Sequence, residues 1–177
     1  MGTIRTVLAV TLVTAAGMGA AVTARAVTAR DEVPYVSVAP GGAQVPLGRT
    51  VTRAPVAGHA GFSFQAPATG RIGGESPDQM ATVVLPKGAF LARRWDDRPA
   101  DPVKALSDVD IAVGPVRRTT IAGMPAAFVD MKVGLRIIRE YRFVHDGTLY
   151  GAGVLGDPGD AVVQDTGLAM LETWTWL

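Results

Sequence analysis

The sequence predicts an α+β fold, a single domain built on a twisted, mainly antiparallel sheet with helices packed on its faces. Three observations predict it. Runs such as AAFVDMKV (126–133) alternate apolar and polar residues with the period of a half-buried strand. Asp146-Gly147 divides two β-patterned runs with a two-residue sequence suited to a type I′ hairpin turn. Asp-Pro pairs at 101–102 and 157–158 supply a cap and a first-turn proline, which start helices.

In chain order, GFSFQAP opens the domain with Phe62, Phe64 and Ala66 alternating against Ser63 and Gln65, and Pro67 stops the strand. QMATVVLP predicts a second strand ending before Pro86. KGAFLARRWDDRPAD fits a helical turn or an ordered loop, because arginine and aspartate crowd Arg93 to Asp97. A short helix then follows Asp101. VRRTTIAG leads to a turn at Gly123-Met124-Pro125. Beyond it, Ala127, Val129, Met131 and Val133 point one way and Phe128, Asp130 and Lys132 the other.

The next run, LRIIREYRFV, places Ile137, Tyr141 and Phe143 on one face and Arg136, Glu140 and Arg142 on the opposite face. Arg139 falls on the apolar face, so either a bulge near Ile138 or a snorkelling guanidinium is expected. A two-residue turn at Asp146-Gly147 sets His145 opposite Thr148, Phe143 opposite Tyr150 and Tyr141 opposite Ala152. A helix over 160–172 follows, in which Gly167 costs about 1 kcal/mol relative to alanine. TWTWL closes the chain as a short strand. Its Trp174 and Trp176 are expected to be core under a helix, the alternative being an aromatic binding platform.

Ahead of the domain, Arg5 precedes nineteen uncharged residues, Thr6 to Ala24, and Ala24-Arg25-Ala26 is an A-x-A cleavage pattern. Residues 1–26 therefore read as a signal peptide, with an uncleaved membrane anchor as the alternative. Residues 27–58 are rich in proline and glycine and read as a spacer, although YVSV and TVT suit short strands. Residues 59–177 form the domain. A secreted or extracytoplasmic envelope location follows from this reading, and the membrane is a partner where the leader is retained.

Composition narrows the chemistry. Of 17 basic residues, loss of Arg5 and Arg25 leaves 15 against 16 acidic, too near neutrality to favour nucleic acid. The absence of cysteine removes disulfides, thiolate metal sites, a Cys nucleophile and a lipobox anchor. Fourteen arginines against three lysines suit a GC-rich, actinomycete-like genome.

No catalytic, cofactor or metal site is expected. His145 reads as a hairpin residue beside Asp146. Ser37, Ser63, Ser76 and Ser107 lie in no G-x-S-x-G elbow, and neither His59 nor His145 is placed as their base. Asp96, Asp97, Asp101, Asp108 and Asp110 are calcium-type ligands without EF-hand spacing, and Arg93, Arg94 and Arg98 can neutralise the first of them. Glu75 and Asp78 have no marked partner. TGRIGGE lacks the lysine and helix of a phosphate loop, and Arg117-Arg118 is too short for a nucleic-acid stripe.

The order of elements, with GFSFQAP, TIAGMPAAFVD, DGTLYGAGV and LAMLETWTW, resembles the PsbP-like superfamily, in its exported actinomycete lipoprotein-like branch but without the lipobox cysteine. The resemblance implies an α/β/α sandwich and a non-enzymatic role in binding or assembly. The expected function is thus an exported cell-envelope accessory protein that meets an envelope protein, glycan or lipid. The alternative is a secreted hydrolase whose site the sequence does not reveal.

Overall fold

Ten strands and two helices occupy the described residues of a computed structural model, namely 33–177 without 43–44, 57, 74–78 and 97–99. The leader with Ala24-Arg25-Ala26, and Glu75, Ser76, Asp78, Asp97 and Arg98, lie outside them. The strands are β1 (Leu47–Arg53), β2 (Phe62–Pro67), β3 (Arg71–Gly73), β4 (Gln79–Leu85), β5 (Gly88–Trp95), β6 (Arg117–Ile121), β7 (Met124–Val133), β8 (Arg136–His145), β9 (Thr148–Gly156) and β10 (Thr175–Trp176). The helices are α1 (Pro102–Ser107) and α2 (Ala161–Glu172). Seven strands form an antiparallel sheet in the order β3-β4-β5-β9-β8-β7-β6, and three form a second sheet, β1-β2-β10.

This overturns the expected α+β sandwich with helices packed on the faces of one sheet. The chain is mostly β, with two sheets and two helices of six and twelve residues. Two segments account for the difference. Leu47–Arg53, inside the stretch read as a spacer, pairs along β2 from Leu47↔Pro67 to Arg53↔Phe62 and buries Val51. GAFLARRW, expected as a helical turn or loop, is a full strand paired with β4 and β9. Phe90 and Ala92 alternate there with Leu91 and Arg93, a period masked in the sequence by adjacent arginines.

The core lies between the two sheets. Phe62, Phe64 and Val51 from the small sheet meet Val83, Phe90, Tyr141, Phe143 and Tyr150 from the large one, together with Leu171 and Trp174. On the opposite face of the large sheet, Leu106 of α1 covers Ala127, Val129, Met131 and Ile138. The first helix starts at Asp101-Pro102 as the sequence implies, whereas the second is capped by Asp160 and Asp157-Pro158 lies in the turn before it. The Asp101 carboxylate accepts from the Val103 and Lys104 amides, and that of Asp160 accepts from the Val163 amide. Gly167 has a packing reason: a Cβ there would lie 2.5 Å from both Val154 methyls, so the helix–sheet approach requires glycine.

The expected β8–β9 register is observed, with Phe143↔Tyr150 and His145↔Thr148 flanking Asp146 and Gly147, both at positive φ. Two neighbouring expectations change. The β6–β7 turn is Ala122-Gly123, again both at positive φ, with Met124 and Pro125 already in the strand. No bulge forms near Ile138. The register runs unbroken from Ala126↔Phe143 to Val133↔Arg136, so Arg139 stands opposite Asp130 and binds it through Nε at 2.7 Å and Nη2 at 3.0 Å.

Candidate functional site

The β7–β8 turn is the most exposed apolar feature of the described residues. Val133↔Arg136 pairing leaves Gly134 and Leu135 as the two turn residues. Gly134 has φ +62 and Leu135 is not among the positive-φ residues, the pattern of a type II′ turn with glycine first. Leu135 is 91 % exposed. Beside it, Ile111–Val113 runs along the free margin of β7: Lys132 N–H donates to the Ile111 carbonyl and Val113 N–H to the Asp130 carbonyl. Ile111, Val113, Val133 and Leu135 are half of the eight exposed large hydrophobics among the described residues, and the Ala112↔Met131 pairing sets Ile111 and Val113 on the opposite face of β7 from Val133.

The surroundings of this turn follow from the register. The β7–β8 turn, the start of β5 and the end of β9 lie together, because Val133↔Arg136, Ile137↔Gly156 and Ala89↔Leu155 are successive pairings across the sheet. The β4–β5 turn brings exposed Lys87 to the same end. Cations flank the apolar apex on both sides, as Lys132 and Arg136, the latter 3.5 Å from Asp157. The alternation in AAFVDMKV groups Val133 with Ala127, Val129 and Met131, which are buried, whereas Val133 is exposed. The available signal was KVGLR, a hairpin turn carrying leucine where polar residues usually stand.

A second cluster is internal. Glu140 and Arg142, expected on a polar face, are buried. They stand opposite Gly153 and Gly151 of β9, whose missing side chains leave room for them, and Arg93 faces Gly151 from β5. Arg142 donates from Nη1 to the Ala105 carbonyl at 2.6 Å, lies 4.4 Å from the Trp95 ring centre, and its Nε is 3.8 Å from Glu140. Burial raises the Glu140 carboxyl above its ordinary 4.5, and Arg93 and Arg142 oppose the rise without cancelling it. With Glu140 fully enclosed, this cluster is a structural element rather than a substrate site.

Its pH behaviour is testable. Above the unfolded value, near 4.5, the folded state retains a proton the unfolded chain has lost, so this group's stabilisation fades as pH rises toward the raised folded value. Glu140→Gln removes that titration while keeping the shape. The slope of stability against pH in this window should flatten by up to about 1.4 kcal/mol per pH unit, and the variant should match or exceed wild type at pH 7. Urea midpoints of both proteins across the pH range read this out, and an unchanged slope would remove Glu140 as the source.

The remaining expected residues scatter. His145 stacks on Trp176 with ring centres 3.9 Å apart, and its Nε2 is 3.4 Å from Asp146. His59 Nε2 lies 3.7 Å from Asp96, which Arg94 engages at 2.8 Å. Among the described residues neither imidazole is hydrogen-bonded to a serine: Ser63 is inside β2, Ser37 is exposed, and Ser107 donates to the Val103 carbonyl. Asp101 is consumed as a helix cap, Asp108 ends α1, and Asp110 is exposed. Among the described residues, no three carboxylate or imidazole groups converge on a metal position. Arg117 lies 5.7 Å from the Phe128 ring centre, and Arg118 binds the Pro34–Val36 backbone through its own amide and carbonyl. Trp174 is in the core and Trp176 half-buried against Phe62, Phe143 and Tyr150, so TWTWL is not a free platform.

One cavity of about 140 Å³ lies between the β4–β5 turn and the start of α2, lined by Leu85, Pro86, Val162 and Val163 with Lys87 and Asp160. It is smaller than the roughly 300 Å³ at which small-molecule pockets begin. Comparison of the sequence with protein-family models and with curated proteins finds no match.

Proposed function

We propose that this chain is a non-enzymatic, exported accessory protein of the cell envelope that acts by binding or assembly. The observation carrying the proposal is the exposed apolar β7–β8 turn, with Leu135 at its apex and Val133 beside it, since an exposed apolar point of this kind marks an interaction site. The consumption of the ionisable side chains supports the same reading. Among the described residues, Asp130 and Asp96 are held by arginines, Asp101 caps a helix and Glu140 is enclosed, and no nucleophile is placed beside a base. The export half rests on Arg5, the uncharged run and Ala24-Arg25-Ala26. The resemblance to PsbP-like proteins favours an accessory role, but its α/β/α sandwich is not the architecture found, so it lends nothing to the fold.

Fractionation with mass spectrometry tests export. A processed N-terminus near Val27 in envelope or supernatant fractions is expected, and an intact Met1 terminus in the cytosol would overturn the proposal. Turnover of model ester, peptide or glycoside substrates by the pure protein would favour the hydrolase instead.

A further inference from the structure

We infer that the β7–β8 turn docks on a lipid bilayer, Leu135 entering below the headgroups while Lys132 and Arg136 rest at the phosphates, with Val133 level with Arg136. The inference deepens the accessory-protein reading and rests on it. Its first support is shape. Leu135 is the apex of a two-residue turn, a convex point that suits a deformable interface better than a groove-lined one. The second is spacing. Strands rise about 3.4 Å per residue, which sets Lys132 and Arg136 roughly 3–8 Å behind the apex. An interfacial element buries its apolar part to about 5–10 Å, so cations at that height meet phosphate oxygens, with their stems along the apolar layer.

Asp110 and Asp157 lie at the same end of the sheet as the turn, so attraction to anionic lipid is partly balanced and the apolar side chains supply most of the attachment.

Because the chain has no cysteine, a single thiol can report on the turn. The full-length Leu135→Cys protein carrying an environment-sensitive nitrobenzoxadiazole dye is titrated with phosphatidylcholine vesicles containing phosphatidylglycerol. Val56→Cys, exposed near His59 at the far end of the domain, is the control. A blue shift on adding vesicles is expected at 135 and not at 56, and Lys132→Glu with Arg136→Glu should weaken it about tenfold. Vesicle binding without a shift at 135 would overturn the inference, because another part of the chain then holds the lipid. A shift that grows with protein concentration in the absence of vesicles would overturn it in favour of a second copy of the chain. No shift from protein that fractionates with the envelope defeats this inference alone, whereas cytosolic protein with an intact leader defeats the accessory-protein reading itself.

Discussion

Trp174→Ala is expected to lower the stability of the domain by about 3–5 kcal/mol, a large share of the 5–15 kcal/mol typical of a folded domain. The indole is 5 % exposed and joins the two sheets. It stacks on Phe62 with ring centres 4.2 Å apart and on Phe64 at 5.7 Å, and meets Phe143 of the large sheet edge-on at 5.3 Å. Its removal leaves a cavity lined by aromatic rings fixed in strands, which cannot collapse to fill it. Trp176→Ala should cost less, about 1–2 kcal/mol, since that ring is half-buried. His145→Ala, which uncovers one face of Trp176, should cost under about 1 kcal/mol. Urea denaturation of the three variants gives the ranking, and a Trp174→Ala midpoint equal to wild type would show that the indole is not the contact between sheets.

Gly151→Ala should cost ~3 kcal/mol or more, with no change of charge or polarity. Gly151 is buried at the middle of the large sheet, between Arg142 on β8 and Arg93 on β5. A Cβ there would collide with the Tyr141 carbonyl, a backbone group that can yield only by displacing its strand, and would press on the Trp95 ring at 3.1 Å. Gly123→Ala, where open space surrounds the missing Cβ, is the comparison: it carries only the strain of a positive φ. Thermal melts of the pair separate overpacking from backbone strain, and equal losses would remove the collision as the cause.

What the sequence disclosed was local, and what it hid was tertiary. Asp146-Gly147 and Asp101-Pro102 act within a few residues of themselves, so the β8–β9 register and the first helix start were readable, whereas Asp157-Pro158 mimics a helix start that Asp160 provides. β5 was not, because Arg93 and Arg94 stand side by side and disguise the alternation of Phe90 and Ala92. Glu140 looked like a solvent residue since its neighbours in sequence are arginines. Its burial depends on Gly151 and Gly153 two strand positions apart on β9 and on α1 packed nearby, none of which a single run of residues encodes. β1 was legible only as the short run TVT, since the prolines that bound it made the whole stretch resemble a spacer. The exposed apolar residues were the least legible, as Ile111 and Val113 reach β7 only through tertiary pairing and Leu135 is a turn residue by the β7–β8 register.

The small sheet carries a consequence for the order in which the protein can be completed. β6 to β9 are linked by three two-residue turns, so each strand finds its partner as soon as it exists. β2 stands near the other extreme. Its Gln65 amide binds the Thr173 hydroxyl across 108 residues, and its second strand partner is β10, the last strand among the described residues. During synthesis from the N-terminus, Phe62 and Phe64 therefore wait for Trp174 while every intervening strand is made. Until Trp174 and β10 emerge, the aromatic face of the large sheet has no finished cover, and the nascent chain carries that face open.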